Sequence, residues 1–340
     1  MKVLRYYGPN DFRVESEPIP EIGPGEILVR VRASGVCSGE TMDWYMKKKA
    51  PFVPGHEPAG EVVDIGPGVT EVSVGDRVFA HHHVPCMTCR ACRAGHFVQC
   101  PLWPERQIEP GAMAEYMRVK ARAVSLDTLR LPDALSYEDG TLIEPLACVV
   151  KALKQVPIHV ETQVLVIGLG FMGVLNALVA QHYGARLVAG LDLIDWRLEK
   201  AVQLGISPVL NPVREDLKEW ALEITQGSLF DVVIVGPGRA EVIRQATQLV
   251  ARGGTVLIFT PTPPQEPTCL DYNDLYFREV RLIPSYSAGP YDTREALALI
   301  EQGKIRAKDL VTHRFSLEEA GKAYQVVKEA QKSLKVVVVP

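Results

Sequence analysis

Four cysteines and four histidines lie within the twenty residues from His81 to Cys100, and every one of these side chains can bind a metal ion. The cysteines follow the spacing Cys86-x2-Cys89-x2-Cys92-x7-Cys100. Four thiolates on such short loops can surround a zinc ion as a tetrahedron that leaves no coordination position open. The segment therefore predicts a structural zinc site rather than a catalytic one.

An iron–sulfur cluster is the rival interpretation, since Cys100 is followed by Pro101, as in the cysteine motif of bacterial ferredoxins. That motif has three residues before its last cysteine, whereas seven residues stand there in this chain. Four unligated cysteines would also make a poor core next to the charged Arg90 and Arg93. Zinc is the better prediction.

The three consecutive histidines lack the spacing of a metal-ligand set. If "DRVFAHHH" continues as a strand, His81 and His83 point to one face of the sheet and His82 points to the other. We expect these histidines to line a polar cleft or to lie at the surface, and we assign none of them to a zinc ion.

Composition limits the class of protein. The chain has 340 residues, 47% of them hydrophobic, which is enough for two globular domains. A net charge of -4 and the absence of basic runs argue against a nucleic-acid partner. We see no secretory signal and no membrane-spanning run, and cysteines grouped for metal binding fit a reducing compartment, so we expect a cytoplasmic protein.

The pattern of apolar residues along the sequence changes near residue 150. Before it, short apolar runs such as "EILVRVRASGV" are separated by Gly and Pro, which predicts a β-rich domain over residues 1–150. Over residues 151–289, strand-like and helical runs alternate, which predicts a doubly wound α/β domain with a parallel sheet. Residues 290–340 end in "SLKVVVVP", a strand that we expect to return to the first domain.

A glycine-rich turn follows the first strand of the second domain. In "VLVIGLGFMG", Gly168, Gly170 and Gly173 form Gly-x-Gly-x-x-Gly at the start of a predicted helix, with Phe171 and Met172 between them. Glycines here permit a tight turn and close approach of the backbone to a pyrophosphate, which the helix N-terminus attracts. The turn predicts a dinucleotide site.

An acidic residue completes this pattern. Asp192 ends the next predicted strand about twenty residues later, where its carboxylate can bind both ribose hydroxyls and repel a 2′-phosphate. Arg197 either flanks the adenosine or merely begins the following helix. We therefore predict NAD rather than NADP as the cofactor.

A second set of metal-ligand types is dispersed over the first domain. It comprises Cys37 in "GVCSGE", His56 and Glu57 in "PGHEPAGEV", and Glu144 in "LIEPLACVV". Mixed thiolate, imidazole and carboxylate ligands suit a catalytic zinc with an open position. Spacing alone does not show that these distant segments meet.

The whole chain resembles the zinc-containing medium-chain dehydrogenases/reductases, in the branch of the sorbitol (polyol) and threonine dehydrogenases. The matching motifs are Gly-Val-Cys at 35–37, Gly-His-Glu-x-x-Gly at 55–60, Val-Gly-Asp-Arg-Val at 74–78, the four-cysteine segment, Glu-Pro-Leu at 144–146 and the glycine-rich turn. Together these motifs are specific for the family and say little about the substrate.

The resemblance implies a GroES-like catalytic domain, built from the N-terminal half and the tail, with a Rossmann domain inserted. It implies a catalytic zinc on Cys37, His56 and a carboxylate. Glu144 occupies the position used in the polyol branch, and Glu57 is similar to a glutamate that binds the zinc or exchanges with water. It also implies a homotetramer, or a homodimer, paired through the strand "VRLIPSYS".

The chain departs from the family pattern where the proton relay begins. The family has Ser or Thr two residues after the first zinc cysteine, and here that residue is Gly39. A histidine often found five residues after the cysteine is replaced by Met42. We expect Ser38 to start the relay, with Asp43 as the alternative. Cys148 and Cys269 match no motif.

The resemblance implies oxidation of a secondary alcohol (a polyol, cyclitol or sugar alcohol) to a ketone, with a zinc-activated hydroxyl and hydride transfer to NAD. L-threonine 3-dehydrogenase is a second assignment. A non-catalytic zinc- and nucleotide-binding protein with a structural or sensing role is a third. Retention of all the expected catalytic-zinc ligands speaks against the third assignment, because a binding protein needs no open metal position.

Overall fold

The computed structural model describes residues 1–340. The chain divides into two compact units, one formed by residues 1–147 and 288–340 and the other by residues 148–287. The boundaries expected from the sequence, after residues 150 and 289, lie close to these divisions. None of the helices combines the length and the apolar character that crossing a bilayer requires.

The strands, numbered in chain order, are β1 (Lys2–Gly8), β2 (Asp11–Ser16), β3 (Ile27–Gly35), β4 (Glu57–Ile65), β5 (Arg77–Ala80), β6 (Ile108–Glu109), β7 (Tyr116–Val119), β8 (Thr128–Arg130), β9 (Gln163–Ile167), β10 (Leu187–Leu191), β11 (Val209–Leu210), β12 (Phe230–Val235), β13 (Val250–Ile258), β14 (Arg281–Pro284), β15 (Val311–Ser316) and β16 (Lys335–Val339). The α-helices are α1 (Asp43–Met46), α2 (Arg90–Arg93), α3 (Ala121–Asp127), α4 (Tyr137–Gly140), α5 (Ile143–Leu153), α6 (Phe171–His182), α7 (Asp195–Gln203), α8 (Leu217–Ile224), α9 (Ala240–Leu249), α10 (Tyr272–Phe277), α11 (Pro290–Glu301), α12 (Ala307–Leu310) and α13 (Ala320–Glu329). Two short 3₁₀ turns cover Ser38–Thr41 and Phe97–Gln99.

The unit of residues 148–287 is a six-stranded parallel sheet in the order β11-β10-β9-β12-β13-β14. All five residues of β9 are buried, as expected of a parallel strand covered on both faces. The strand order reverses between β9 and β12, and ligands of such sheets bind at this switch point, beyond the carboxyl ends of the strands. The prediction of a doubly wound Rossmann sheet is confirmed.

The other unit is built on an eight-stranded sheet, mostly antiparallel, whose main path runs β15-β16-β3-β4-β5-β8, with β7 also paired to β3 and β6 to β7. β16 pairs with β3 through Val337 opposite Gly35 and Val338 opposite Ser34, so the tail of the chain belongs to the same sheet as the N-terminal half. Alternate residues of β3 (Ile27, Val29 and Val31) enter its core. The predicted GroES-like, β-rich domain is confirmed.

One strand is shorter than the sequence suggests. β5 ends at Ala80, so the expectation that the histidines continue this strand with alternating directions is wrong. The His81 amide still donates to the Asp127 carbonyl beside β8, but the next residues change partners: the His82 carbonyl accepts a hydrogen bond from the amide of Gln107, and His83 bridges to Arg106. Because the chain changes partners here, the three histidine side chains need not point alternately to the two faces of a sheet.

Candidate functional site

Cys37, His56 and Glu57 are brought together by the register of two strands. Gly35 at the end of β3 lies opposite Glu57 at the start of β4, so the residues that follow one strand and precede the other are neighbours. One ligand atom from each of the three side chains lies within 4.8 Å of the others. The set suits zinc, because thiolate, imidazole and carboxylate are its usual ligands and three of them leave a position open.

Glu40, which the sequence analysis did not identify, orients His56. Its Oε1 accepts hydrogen bonds from Nδ1 of His56 (2.8 Å) and from the amide of Gly55 (2.9 Å), while its Oε2 accepts one from the hydroxyl of Tyr324 (2.7 Å). A carboxylate on Nδ1 fixes the ring and leaves Nε2 as the nitrogen for a metal. The only signal in the sequence is an acidic residue three positions after Cys37.

The charged groups around His56 shift one another's pKa values. Burial opposes ionisation of Glu40, yet His56, Tyr324 and the Gly55 amide outweigh it and lower the pKa of Glu40 to about 2. Burial also disfavours a charged His56, but the negative charges of Glu40 and Cys37 raise its pKa well above the ordinary value. The set attracts positive charge, as a cation site must.

Glu57 is shared between this set and a buried lysine. Its Oε2 bonds Nζ of Lys335, and both side chains are 1% exposed. The pair fits because the neighbouring residue is Gly35, where a Cβ atom would lie only 2.1 Å from the Glu57 carboxylate. Burial and the charge of Glu144 raise the pKa of Glu57, against the lowering effect of Lys335 and His56.

Glu144 lies in the first turn of α5, and one of its carboxylate oxygens lies within 4.8 Å of ligand atoms of His81 and His82. It is also close to the Cys37 set, because its negative charge raises the pKa of Glu57 and the rings of His56 and His82 lie 4.6 Å apart. Its assignment as a ligand of the catalytic zinc stays a prediction. Sequence reasoning did not link Glu144 to the histidines, because they are more than sixty positions apart.

The histidines are not surface residues. His81 is fully buried, and its Nδ1 lies 2.7 Å from Oδ2 of Asp127. Burial, with neighbouring positive charge, lowers the pKa of His82 well below its usual value and that of His83 to about 3. His82 and His83 are therefore neutral imidazoles near neutral pH.

The four-cysteine segment passes a geometric test for zinc. Its sulfur atoms lie within 4.8 Å of one another, with Cys86 3.9 Å and Cys89 3.5 Å from the Cys92 sulfur. A tetrahedron with zinc–sulfur bonds of about 2.3 Å requires sulfurs about 3.8 Å apart. All four cysteines are free rather than disulfide-bonded. These four cysteines would bind a zinc ion and leave it no open coordination position.

The expected relay residues occupy different surroundings. Ser38 is exposed at the start of its 3₁₀ turn. Asp43 is about half exposed and forms an ion pair with Lys328 at 3.1 Å, so it does not turn toward the gap left by Gly39. A Cβ atom at Gly39 would lie 3.4 Å from the Cys37 sulfur. The position at which the family has a hydroxyl side chain therefore lies beside the Cys37 set, and in this chain the residue there has no side chain.

The glycine-rich turn has the geometry that its spacing predicts. Gly168 has a positive φ of +88°, and a Cβ atom at Gly173 would lie 1.8 Å from the Gly168 carbonyl. Gly170 caps α6, whose first residues are Phe171 and Met172. The N-terminus of α6 therefore presents backbone amides and the positive end of the helix dipole at the switch point of the sheet.

Asp192 directly follows β10, and its carboxylate accepts hydrogen bonds from two backbone amides. Its Oδ2 accepts a hydrogen bond from the amide of Leu169 (2.8 Å), and its Oδ1 accepts one from the amide of Ile194 (2.9 Å). Arg197 lies 3.5 Å from the same carboxylate. Oδ2 thus accepts from both Leu169 and Arg197, whereas Oδ1 keeps a lone pair for a ribose hydroxyl.

The two units and their sites define a class of protein: a dehydrogenase with a Rossmann unit and a metal-binding GroES-like unit. Residues 23–132 match the family model of the alcohol dehydrogenase GroES-like domain, and residues 172–302 match that of the zinc-binding dehydrogenases. The chain belongs to the zinc-containing medium-chain dehydrogenase/reductase family, in its polyol and threonine dehydrogenase branch, and is an oxidoreductase of that family.

Individual relatives show how far the likeness extends. A sorbitol dehydrogenase of Halalkalibacterium halodurans is 32% identical, over 99% of this chain and 98% of its own. An L-threonine 3-dehydrogenase of Chelativorans sp. is 31% identical, over 94% of this chain and 92% of its own. A zinc-binding dehydrogenase of Sinorhizobium meliloti, solved with NADP, superposes with a TM-score of 0.88 at 28% identity, over 100% and 99% of the two chains.

Proposed function

We propose that this protein oxidises a secondary alcohol (a polyol, cyclitol or sugar alcohol) to a ketone with NAD⁺ as the hydride acceptor. The observation that carries the proposal is the Cys37, His56 and Glu57 set, whose three mixed ligands suit a zinc ion with an open position. The likeness to a sorbitol dehydrogenase over nearly the whole chain supports this substrate class.

The chain's own residues would position the reaction. Cys37, His56 and Glu57 would hold the zinc, Glu40 fixes the ring of His56, and Lys335 offsets the buried charge of Glu57. When bound, zinc would acidify the substrate hydroxyl and NAD⁺ would accept the hydride. We place the adenosine ribose at Asp192 and the pyrophosphate at Gly168, Gly170, Phe171, Met172 and Gly173, with Arg197 beside the adenosine.

L-threonine is the second candidate substrate. It too is a secondary alcohol, and an L-threonine 3-dehydrogenase is 31% identical to this chain. Threonine differs from a polyol because it brings an ammonium and a carboxylate, so its binding requires charged partners that a polyol does not need.

A substrate panel distinguishes these candidates. Polyols, cyclitols, simple secondary alcohols and L-threonine are each supplied with NAD⁺, and NADH is followed by absorbance. We expect turnover with a polyol or cyclitol. Turnover with threonine alone would favour the second candidate. A zinc-loaded protein that binds NAD⁺ and turns over none of them would favour a non-catalytic binding protein.

We expect a preference for NAD over NADP of at least ~10-fold in kcat/KM, because Asp192 repels a 2′-phosphate. Asp192→Gly should relax this preference. Asp195→Asn is the matched control, since it removes a nearby exposed carboxylate that pairs with Arg214. Equal use of both cofactors by the unaltered protein would show that Asp192 does not face the ribose.

Ser38→Ala is expected to lower kcat on the order of 10²-fold, the usual contribution of a positioned acid–base group, with zinc content and NAD affinity unchanged. The reason is that Ser38 supplies a hydroxyl next to Gly39. Thr41→Val serves as the control, because the Thr41 hydroxyl bonds the Ser38 carbonyl in the same turn. Equal losses in both variants would mean that the turn matters rather than the Ser38 hydroxyl.

We also propose that the chain forms a homotetramer or a homodimer through the edge strand β14. β14 has one strand partner, and the adjoining α10 exposes Tyr272, Tyr276 and Phe277, each more than 60% accessible. Aromatic side chains on an open sheet edge are typical of an interface. A cytoplasmic location remains a prediction from the sequence.

A further inference from the structure

Two exposed side chains near the Cys37 set, Lys49 and Arg106, carry positive charge and form no ion pair with a carboxylate of the chain. Their charged ends contact the Val53 carbonyl and the rings of Phe52 and Tyr45 instead. We propose that these two residues, the cationic pair, bind a phosphate group of the substrate, which is then the phosphate monoester of a polyol or sugar alcohol. This inference rests on the proposed function, because it adds a group to the alcohol proposed above.

Arg106 is held beside the chain segment that carries His56. Its Nη2 donates to the Val53 carbonyl at 3.2 Å, and its guanidinium lies 5.4 Å from the centre of the Phe52 ring. Both of these contact residues lie within four positions of His56. An arginine fixed in this way loses little conformational entropy when it binds a ligand. Its Nε and Nη1 form no hydrogen bond within the chain and are free to donate to an oxyanion.

The histidines form a second connection between Arg106 and the Cys37 set. Arg106 lies directly opposite His83 in an isolated β-bridge. The rings of His83 and His82 lie 4.2 Å apart, and those of His82 and His56 lie 4.6 Å apart. Only two side chains therefore separate Arg106 from an expected zinc ligand. A substrate whose hydroxyl lies at the zinc could reach Arg106 with the far end of a short carbon chain.

Lys49 acts on the same place as Arg106. Its Nζ lies 3.7 Å from the centre of the Tyr45 ring, three residues before Phe52 in the direction of the chain from Lys49. Burial is the main cause that lowers the pKa of His83 to about 3, and nearby positive charges, those of Lys49 and Arg106 among them, lower it further. Because both cations act on one imidazole, they are close enough to act together on one anion.

The carboxylates nearest to the cationic pair along the chain have other partners. Glu105 forms an ion pair with Arg122 at 2.8 Å, and Asp43 forms one with Lys328 at 3.1 Å. The cationic pair therefore has no counter-charge of its own, in a chain whose net charge is -4. A packing role over Phe52 explains where the guanidinium lies but not why its charge is unmatched. A local excess of positive charge attracts anionic ligands.

A phosphate monoester matches the cationic pair better than a carboxylate does. It carries about 1.5 to 2 negative charges at neutral pH and three acceptor oxygens. A guanidinium can donate two parallel hydrogen bonds to such a group, and an ammonium adds the second positive charge. A carboxylate carries one negative charge and would leave one of the two cations unmatched.

Paired substrates test the proposal. Sorbitol 6-phosphate, ribitol 5-phosphate and inositol 1-phosphate are each compared with the unphosphorylated parent compound, and kcat/KM is measured from NADH formation. We expect at least one phosphate to exceed its parent compound by ~10–100-fold, the usual contribution of charge-assisted hydrogen bonds, and to exceed gluconate, which carries a carboxylate. Equal values within every pair, or a preference for gluconate over the phosphates, would overturn the inference and leave the proposed function intact.

Variants of the cationic pair identify the residues involved. Arg106→Gln should lower kcat/KM for the best phosphate by ~10–100-fold, mainly through KM, and leave the free polyol within about twofold. Arg106→Lys keeps the charge but not the two parallel donors and should retain part of the preference. Lys308→Gln, at an exposed lysine of α12, is the control and should match the parent. Equal losses with both substrates in Arg106→Gln would indicate a packing role and overturn the inference.

Binding of inorganic phosphate separates this inference from the proposed function. The zinc-loaded protein is saturated with NAD⁺, so that phosphate cannot occupy the pyrophosphate site, and phosphate is titrated in a calorimeter. We expect Arg106→Gln to weaken phosphate binding by at least ~10-fold and Lys308→Gln to leave it unchanged. This result in a protein that oxidises none of the alcohols would support the anion site and count against the proposed function alone. Phosphate that binds Arg106→Gln as tightly as the parent, or that does not bind the parent, would overturn the inference.

Discussion

His56→Asn is expected to lower kcat/KM by at least ~10³-fold, which corresponds to a loss of about 4 kcal/mol of transition-state stabilisation. Nε2 of His56 is the nitrogen that Glu40 leaves for a metal, and asparagine cannot replace it at the same reach. The variant should also lose one zinc per chain and retain the zinc of the cysteine segment. Steady-state kinetics on the best substrate of the panel and metal analysis measure the two effects.

His182→Asn is the control for this variant, because His182 is an exposed histidine in the last turn of α6. It should leave both the kinetics and the metal content unchanged. A His56→Asn protein that loses one zinc yet retains activity within tenfold of the parent would show that this ion is not catalytic. Full zinc content with lost activity would instead indicate that His56 acts on the substrate rather than on the metal.

The parts of the fold that the sequence predicts are those specified by local rules. The turn at Gly168 and Gly173 is predictable because only glycine tolerates a positive φ at the first position and a carbonyl contact at the second. The cysteine segment is predictable because its ligands lie within fifteen residues of one another. In both cases the residues that form the feature lie close together in the sequence.

The supporting contacts of the metal sites are not local, and sequence spacing does not reveal them. Glu57 meets Lys335 across 278 positions, and Tyr324 meets Glu40 across 284. These pairs form because β16 and α13 return to the N-terminal sheet, which a pattern of strands and helices does not specify residue by residue. Glu40 was missed for the same reason: its function depends on where His56 and Tyr324 lie.

The histidine triplet shows how a correct local rule can mislead. Alternation would separate His81 from His82 if the strand continued. The strand instead ends at Ala80, because the next residues pair with the segment at 106–107. The position at which β5 ends therefore decides whether His81 and His82 lie on opposite faces of a sheet or close to each other.

Cys92→Ala is expected to unfold the cysteine segment while the remainder of the chain stays folded. The segment's core contains only Cys92, Cys100 and Trp103 as buried members, and its one α-helix has four residues. So small a core does not hold a loop of this length by itself, and structural zinc contributes on the order of 10 kcal/mol in comparable peptides. Loss of a ligand removes most of that contribution.

Limited trypsin digestion measures this effect directly, because Arg90 and Arg93 are exposed but lie in the short helix α2, whose backbone must open locally before trypsin can cut it. Cys92→Ala should be cut at these arginines at least ~10-fold faster than the parent and should lose one zinc, whereas Cys269→Ala, at an exposed cysteine outside the segment, should match the parent. Mild chelation of the parent should remove the zinc at Cys37 and leave this closed site occupied. Iron with sulfide in the parent, or a Cys92→Ala protein that lacks one zinc yet resists trypsin as the parent does, would contradict a zinc ion that holds the segment together.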